Sequence, residues 1–347
     1  MATQLTAAEA NENMQPNLIA FCTVMLVMSS SALGLRLWSN YVTPSYVWGW
    51  DDFFAVITLP FTFAENSMIY WWISLGLGKH AVTVPPADLL KGPKIVFIAS
   101  LLNDFNISMP KFSVLFFYHR IFARASKWFT VAVWTVCIMN VAWLVGAFGS
   151  TLFQCTPIHA AWEAVPGSTC ISQWGFFFGT AVPSTIIDLF ILLMPMPLLW
   201  GLQAPVSRRI MVGVVFLCGY SVIVASIGRL VTLARAGPSL FVGDLTWQTI
   251  GYIEWVQCEG PISLISVCLP NIFRFVKRVH EKGVKGALPD NPGGSKVLSS
   301  STSSHHKRQF IRMEDYPSHL SIQEGRGSEV TRESEVQQYD RLPRIGV

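Results

Sequence analysis

The chain is short of charge. Of its 347 residues only 13% are Asp, Glu, Lys or Arg, while 51% are hydrophobic and the mean hydropathy is +0.42. Soluble domains carry about 25% charged residues. The shortage is sharper still because nearly half of the charges lie after residue 273. What precedes them is too apolar for a soluble globule, and an integral, multi-pass membrane protein is expected.

Other absences narrow the class. No basic stripe interleaved with aromatics is present, so a nucleic-acid partner is not expected; the formal net charge of +4 comes from loops and tail. There is no serine-hydrolase elbow, no phosphate-binding glycine loop and no metal-binding helix. No enzyme class is therefore named by a motif, and no metal or cofactor is expected. The apolar runs lack strict alternation, which favours helices over a barrel. No internal repeat is visible, which weakens transporter architectures built from duplicated halves. Residues 1–16 carry no Lys or Arg and so lack the positive region of a cleavable signal peptide.

Seven apolar runs are long enough to cross a hydrocarbon core of about 30 Å, near 17–38, 50–73, 94–118, 128–153, 173–200, 210–233 and 247–269. The expected fold is all-α: a seven-transmembrane-helix bundle over 17–275, a short outer segment over 1–16, and a disordered cytoplasmic tail over 276–347. The tail reading rests on composition, since GALPDNPGGSKVLSSSTSSHHKRQ offers little apolar surface to offset ordering. One side of the spans collects Arg36, Arg120, Arg124, Lys127, Arg208 and Arg209, while loop 153–172 has neither Lys nor Arg. The basic side is expected to be cytoplasmic, with the N-terminus outside and the C-terminus inside.

Charges inside the runs are the candidate functional groups: Asp51, Asp52, Glu65, Asp104, Lys111, Asp188, Arg229, Glu254 and Glu259. A charge at the membrane centre costs at least about 2.5–3.5 kcal/mol, so these groups should face one another or a wet cavity. Lys111 is the clearest case. It lies nine residues from Arg120, roughly 13 Å along a helix, and shares a helical face with Asp104 and Ser108. Asp51 and Asp52 are its expected partners. Such a network either fixes helix packing or lines a ligand pocket, and both roles stay open. For a membrane enzyme the candidate acids are Asp188, Glu254 and Glu259. Run 247–269 contains no lysine, so covalent retinal on the last span is not expected.

Five of the seven cysteines lie in spans as small apolar packers. Cys155 and Cys170 bracket an outer loop, where a bridge would close about 15 residues and contribute roughly 3 kcal/mol; two free thiols are the alternative. A metal on Cys155 and His159 lacks a second pair of ligands.

WGWDD (48–52), GLGKH (76–80), PKFSVLFFYHRIF (110–122), FQCTP…W…C (153–170), Asp188 through PMPLLW, Arg229 and the final E…CLP together resemble the fungal rhodopsin-like integral membrane family. The resemblance implies a seven-helix plasma-membrane protein, receptor-like, with its N-terminus outside and a bridge matching Cys155 and Cys170. It also implies compact relatives found among secondary-metabolite biosynthesis genes. Expected partners are membrane lipid, a small hydrophobic or amphipathic ligand, and an intracellular signalling protein. The alternative is a membrane enzyme, an acid-initiated cyclase or isomerase; a transporter comes third.

Overall fold

Seven long helices, α1–α7, account for most of the chain: α1 (Gln15–Val42), α2 (Trp50–Ser74), α3 (Gly92–Phe122), α4 (Lys127–Leu152), α5 (Gln173–Leu193), α6 (Val206–Ala236) and α7 (Ile250–Ala287). The structure, a computed structural model, describes residues 12–43, 46–122, 127–197, 206–237 and 244–287. Most of the expected tail, and the centres of loops 119–127 and 201–209, lie outside the described residues. The helix of α7 continues to Ala287, past the expected boundary at 275.

Local sequence accounts for the helix ends. Pro16 opens α1, where a missing N–H costs nothing. In the first turn of α2, Asp52 reaches back to accept from the Gly49 N–H at 3.2 Å, and both Asp51 and Asp52 complement the helix dipole. Helix α5 ends at Leu193 rather than at 200 as expected, because Pro195 and Pro197 restrict the backbone just beyond it.

Each long helix packs on its neighbours in sequence, α7 closes the ring on α1, and α3 also reaches α7 across the interior. The bundle is apolar outside and polar inside. Val24, Val27, Met28, Trp134, Ile138 and Leu189 are exposed, whereas Arg36, Glu65, Lys111, Asp188, Arg229 and Glu259 are buried. That inversion suits lipid rather than water as the surrounding solvent. By length and composition, α1, α2, α4, α5 and the stretch Leu245–Lys277 can cross a membrane. Helices α3 and α6 fall outside that group; α3 carries Lys94, Asp104, Lys111 and Arg120 along its length. Composition thus supports five of the seven expected spans among the described residues.

One end of the bundle is closed by loops. Residues 76–80 turn through two left-handed glycines, Gly76 (φ +113°) and Gly78 (φ +92°). A Cβ on Gly78 would stand 3.0 Å from the Gln15 backbone nitrogen, so GLGKH is a turn pressed against the start of α1. Next to it, His80 Nδ1 lies 2.6 Å from Asp244 Oδ2 and its ring stacks on Trp247 at 4.1 Å. Cys155 and Cys170 form a disulfide across a two-stranded antiparallel hairpin, Cys155–Thr156 with Thr169–Cys170. These features define the hairpin end; Arg36 and Arg120 lie at the opposite, basic end.

Candidate functional site

The buried polar residues fall into three groups along the bundle. At the basic end, Arg36 of α1 is fully buried. It donates to Asp52 Oδ1 through Nε and Nη2 (3.0 and 2.9 Å), to Asp51 Oδ2 (2.8 Å) and to the Val267 carbonyl of α7 (2.6 Å). Arg120 of α3 closes the group from below, donating to Asp51 Oδ1 at 3.2 Å and to the Tyr46 hydroxyl at 3.0 Å. Tyr46, in the turn between α1 and α2, donates in turn to Asp52 Oδ2 at 2.8 Å. Burial, and then the Asp52 carboxylate, push its phenol up to about 12. Two guanidiniums meet two carboxylates, and each carboxylate is held by a guanidinium.

Asp51 and Asp52 are therefore not the partners of Lys111. The expectation treated Arg36 as a marker of topology, and a guanidinium fork that takes two adjacent carboxylates leaves no place for an ammonium.

Midway along the bundle Lys111 lies 3.0 Å from Asp188 Oδ1 and donates to the Ser184 hydroxyl and carbonyl at 2.8 and 3.0 Å. Its ammonium also stands 5.6 Å from the Trp143 ring centroid, within cation–π range. The Ser226 hydroxyl is 3.1 Å from both Asp188 Oδ2 and Glu259 Oε1. Arg229 Nε then lies 3.0 Å from Glu259 Oε2. The row Lys111–Asp188–Ser226–Glu259–Arg229 places two acids about one hydroxyl with a cation at each end, and ties α3, α5, α6 and α7 together. Lys111 and Asp188 also border a small void of about 60 Å³.

Toward the hairpin end the pattern changes. A cavity of about 280 Å³ lies between α2, α3, α5 and α7, with Gln154 and Ala161 of the disulfide loop at its rim. Trp72, Phe97, Phe177 and Tyr252 contribute aromatic walls, and Glu65, Asn103 and Gln257 contribute polar groups. Glu65 is 2% exposed; its Oε2 accepts from Asn106 Nδ2 at 2.6 Å, and no cation pairs with it among the described residues. Gln257 is also 2% exposed, yet among the described residues neither its amide nitrogen nor its oxygen has a hydrogen-bond partner, and Asn103 Oδ1 has none either. Buried polar atoms without partners are rare in native proteins, and a cluster of them at one cavity calls for an explanation. A wider furrow between α4 and α5, about 790 Å³, is lined by no titratable group.

The remaining candidates lie apart from this cavity. Asp104 accepts from the Thr151 hydroxyl at 3.3 Å, away from Lys111. Glu254 is half-buried, makes no ion pair among the described residues and does not line the cavity. Asp188 and Glu259 are held by Lys111 and Arg229. Of the nine candidates only Glu65 borders the cavity. Arg36 and Gln257 were not among the candidates read from the sequence. Gln257 carried a usable signal, an uncharged amide one helical turn from Glu254 inside an apolar run.

Comparison with known proteins gives these features a context. The model of the fungal rhodopsin domain matches residues 35–278. A SAT4 family membrane protein of Emericella nidulans is 29% identical over 235 residues, 67% of this chain and 56% of that relative. The chain thus spans little more than half of that relative's length. A polyenoic acids biosynthesis gene cluster protein of Metarhizium anisopliae is 25% identical over 78% of this chain and 75% of its own. A wortmanamides biosynthesis cluster protein of Talaromyces wortmannii is 24% identical over 75% and 71%. No solved structure matches the chain.

Proposed function

The chain belongs to the fungal rhodopsin domain family of membrane proteins, and from that premise we propose that it is a receptor-like sensor of a small ligand, serving a secondary-metabolite pathway. All seven helices cross the plasma membrane, with the hairpin end and N-terminus outside and the basic end and tail in the cytoplasm. The ligand enters from the hairpin end. An intracellular partner reads loops 119–127 and 201–209 together with the basic end of α7.

One observation carries this reading: a cavity at the hairpin end holds Gln257 buried and unpartnered, two residues from Glu259 on the same helix. A ligand that engages Gln257 bears on α7 where it joins the row from Arg229 to Lys111. Ion pairs that join four helices have discrete arrangements, and a ligand with different affinity for two of them shifts their populations. The hairpin, tied by its disulfide, keeps the rim of the cavity in place.

A second reading, a membrane enzyme acting on a hydrophobic metabolite, draws support from relatives named for biosynthesis gene clusters. Its acid at the cavity would be Glu65 rather than Asp188, Glu254 or Glu259.

Deletion of the gene, with transcript and metabolite profiles taken from one culture, separates the two. The sensor reading expects a changed transcript programme, with no unreacted precursor building up, restored by the wild-type gene but not by Gln257→Leu. A precursor that accumulates and is cleared by wild type but not by Glu65→Gln would replace the sensor with the enzyme.

A further inference from the structure

One acid, Glu65, lines the hairpin-end cavity beside several amides and hydroxyls. Glu65 offers a carboxyl oxygen, since Oε2 is taken by Asn106 while Oε1 accepts nothing among the described residues. Asn103 offers Oδ1 and Gln257 offers Oε1, both without a donor. The Gln257 Nε2 is an unused donor, and no Lys, Arg or His lines the cavity. Glu65 is the one acid of the lining, and no basic side chain of the lining stands beside it.

The walls fit the same ligand. Indole, phenyl and phenol rings of Trp72, Phe97, Phe177 and Tyr252 border the cavity, and the negative face of an aromatic ring attracts a cation. The contrast with the two groups deeper in the bundle is informative. Arg36 and Arg120 balance Asp51 and Asp52, and Lys111 and Arg229 balance Asp188 and Glu259. Asp51, Asp52, Asp188 and Glu259 thus have cations supplied by the chain, whereas Glu65, like Asp104 and Glu254, makes no ion pair among the described residues; of these three only Glu65 borders the cavity.

We propose that the cavity binds a small organic cation, an amine whose ammonium pairs with Glu65 and donates to the Asn103 and Gln257 carbonyl oxygens while its apolar body lies against the aromatic walls. This rests on the reading of the cavity as a ligand site and adds the ligand's charge. A volume of about 280 Å³ is at the lower end for small-molecule sites, which suits a body of one or two rings. A carboxylate ligand would stand against Glu65 with no cation to receive it. A neutral alcohol would satisfy one acceptor and leave Glu65 without a cation.

The test uses the full chain, purified in detergent and followed by thermal unfolding. Three matched series of probes share their bodies and differ in the head group: alkyl- and arylalkylamines from butylamine to tryptamine, the corresponding alcohols, and the corresponding carboxylates. Amines with aromatic bodies are expected to raise the melting temperature, and their alcohols and acids to leave it within error. In Glu65→Gln, which keeps an oxygen for Asn106, the apparent amine affinity should fall at least tenfold while the unliganded melting temperature holds. Phe97→Leu, which removes one aromatic wall without touching the acceptors, is expected to weaken the arylalkylamines more than butylamine. Should Glu65→Gln fail to fold, the wild-type ranking of amine over alcohol and acid still decides.

Alcohols or acids that stabilise as well as the amines would overturn the cation while keeping the cavity as a ligand site. Amine binding that survives Glu65→Gln unchanged would overturn the ion pair. Stabilisation by none of the three series would remove the cation proposal. A failure of the sensor reading is seen elsewhere, as an unchanged transcript programme in the deletion strain.

Discussion

The basic end and the hairpin end of the bundle use the same residue types in opposite ways. At the basic end Arg36, Arg120, Asp51, Asp52, Asn40 and Tyr46 form a closed set in which each carboxylate is held by a guanidinium. At the hairpin end Glu65 has an amide but no cation, and the Gln257 amide has nothing. A satisfied buried network specifies how helices pack, whereas unsatisfied groups cost stability and are retained where function needs them. The two ends therefore divide the labour. One clamps α1, α2, α3 and α7 together, and the other holds open a place for a ligand.

Substitutions at the two ends should differ in size and even in sign. The largest loss is expected for Arg36→Met, which leaves Arg120 as the one guanidinium facing two buried carboxylates among the described residues; breaking a buried pair costs about 3–5 kcal/mol. Thermal unfolding in detergent would report it, and a melting temperature equal to wild type would remove the clamp. Next comes the hairpin. Cys155→Ser with Cys170→Ser releases a loop closed over a separation of 15 residues, for which chain entropy allows up to roughly 3 kcal/mol. Local loosening of the rim, read as faster proteolysis between 155 and 170, should exceed any change in the bundle's own melting. Tyr46→Phe removes the hydroxyl shared by Asp52 and Arg120, and hydrogen bonds to charged groups contribute about 1.5–3 kcal/mol. Its loss should be smaller than that of Arg36→Met in the same assay.

The sequence made the helices and the disulfide legible but not the pairing of the charges. Apolar runs mark where helices lie, because desolvating the backbone leaves few other choices. The runs also reach a helix that composition alone excludes: α3 is a long helix within the packed ring, though its charges keep it out of the apolar group. Lys111 was visible as an isolated ammonium, yet its partner Asp188 comes from a helix far along the chain. Helical periodicity tells which residues share a face and is silent on which face meets which. Arg36 was read for topology alone because it sits two residues from the end of its run, and its buried pairing was missed. Gln257 went unnoticed because attention to buried charge passes over buried amides, although an amide without a partner is costly too.

The sharpest comparison is a substitution that should cost nothing. Gln257→Leu replaces a buried, unpartnered amide by an apolar side chain of similar size, which relieves an unsatisfied donor and acceptor. Measured beside wild type and Arg36→Met in the same detergent, its melting temperature should equal or exceed that of wild type. A fall comparable with that of Arg36→Met would make Gln257 part of the scaffold and contradict the division between a structural end and a ligand-binding end.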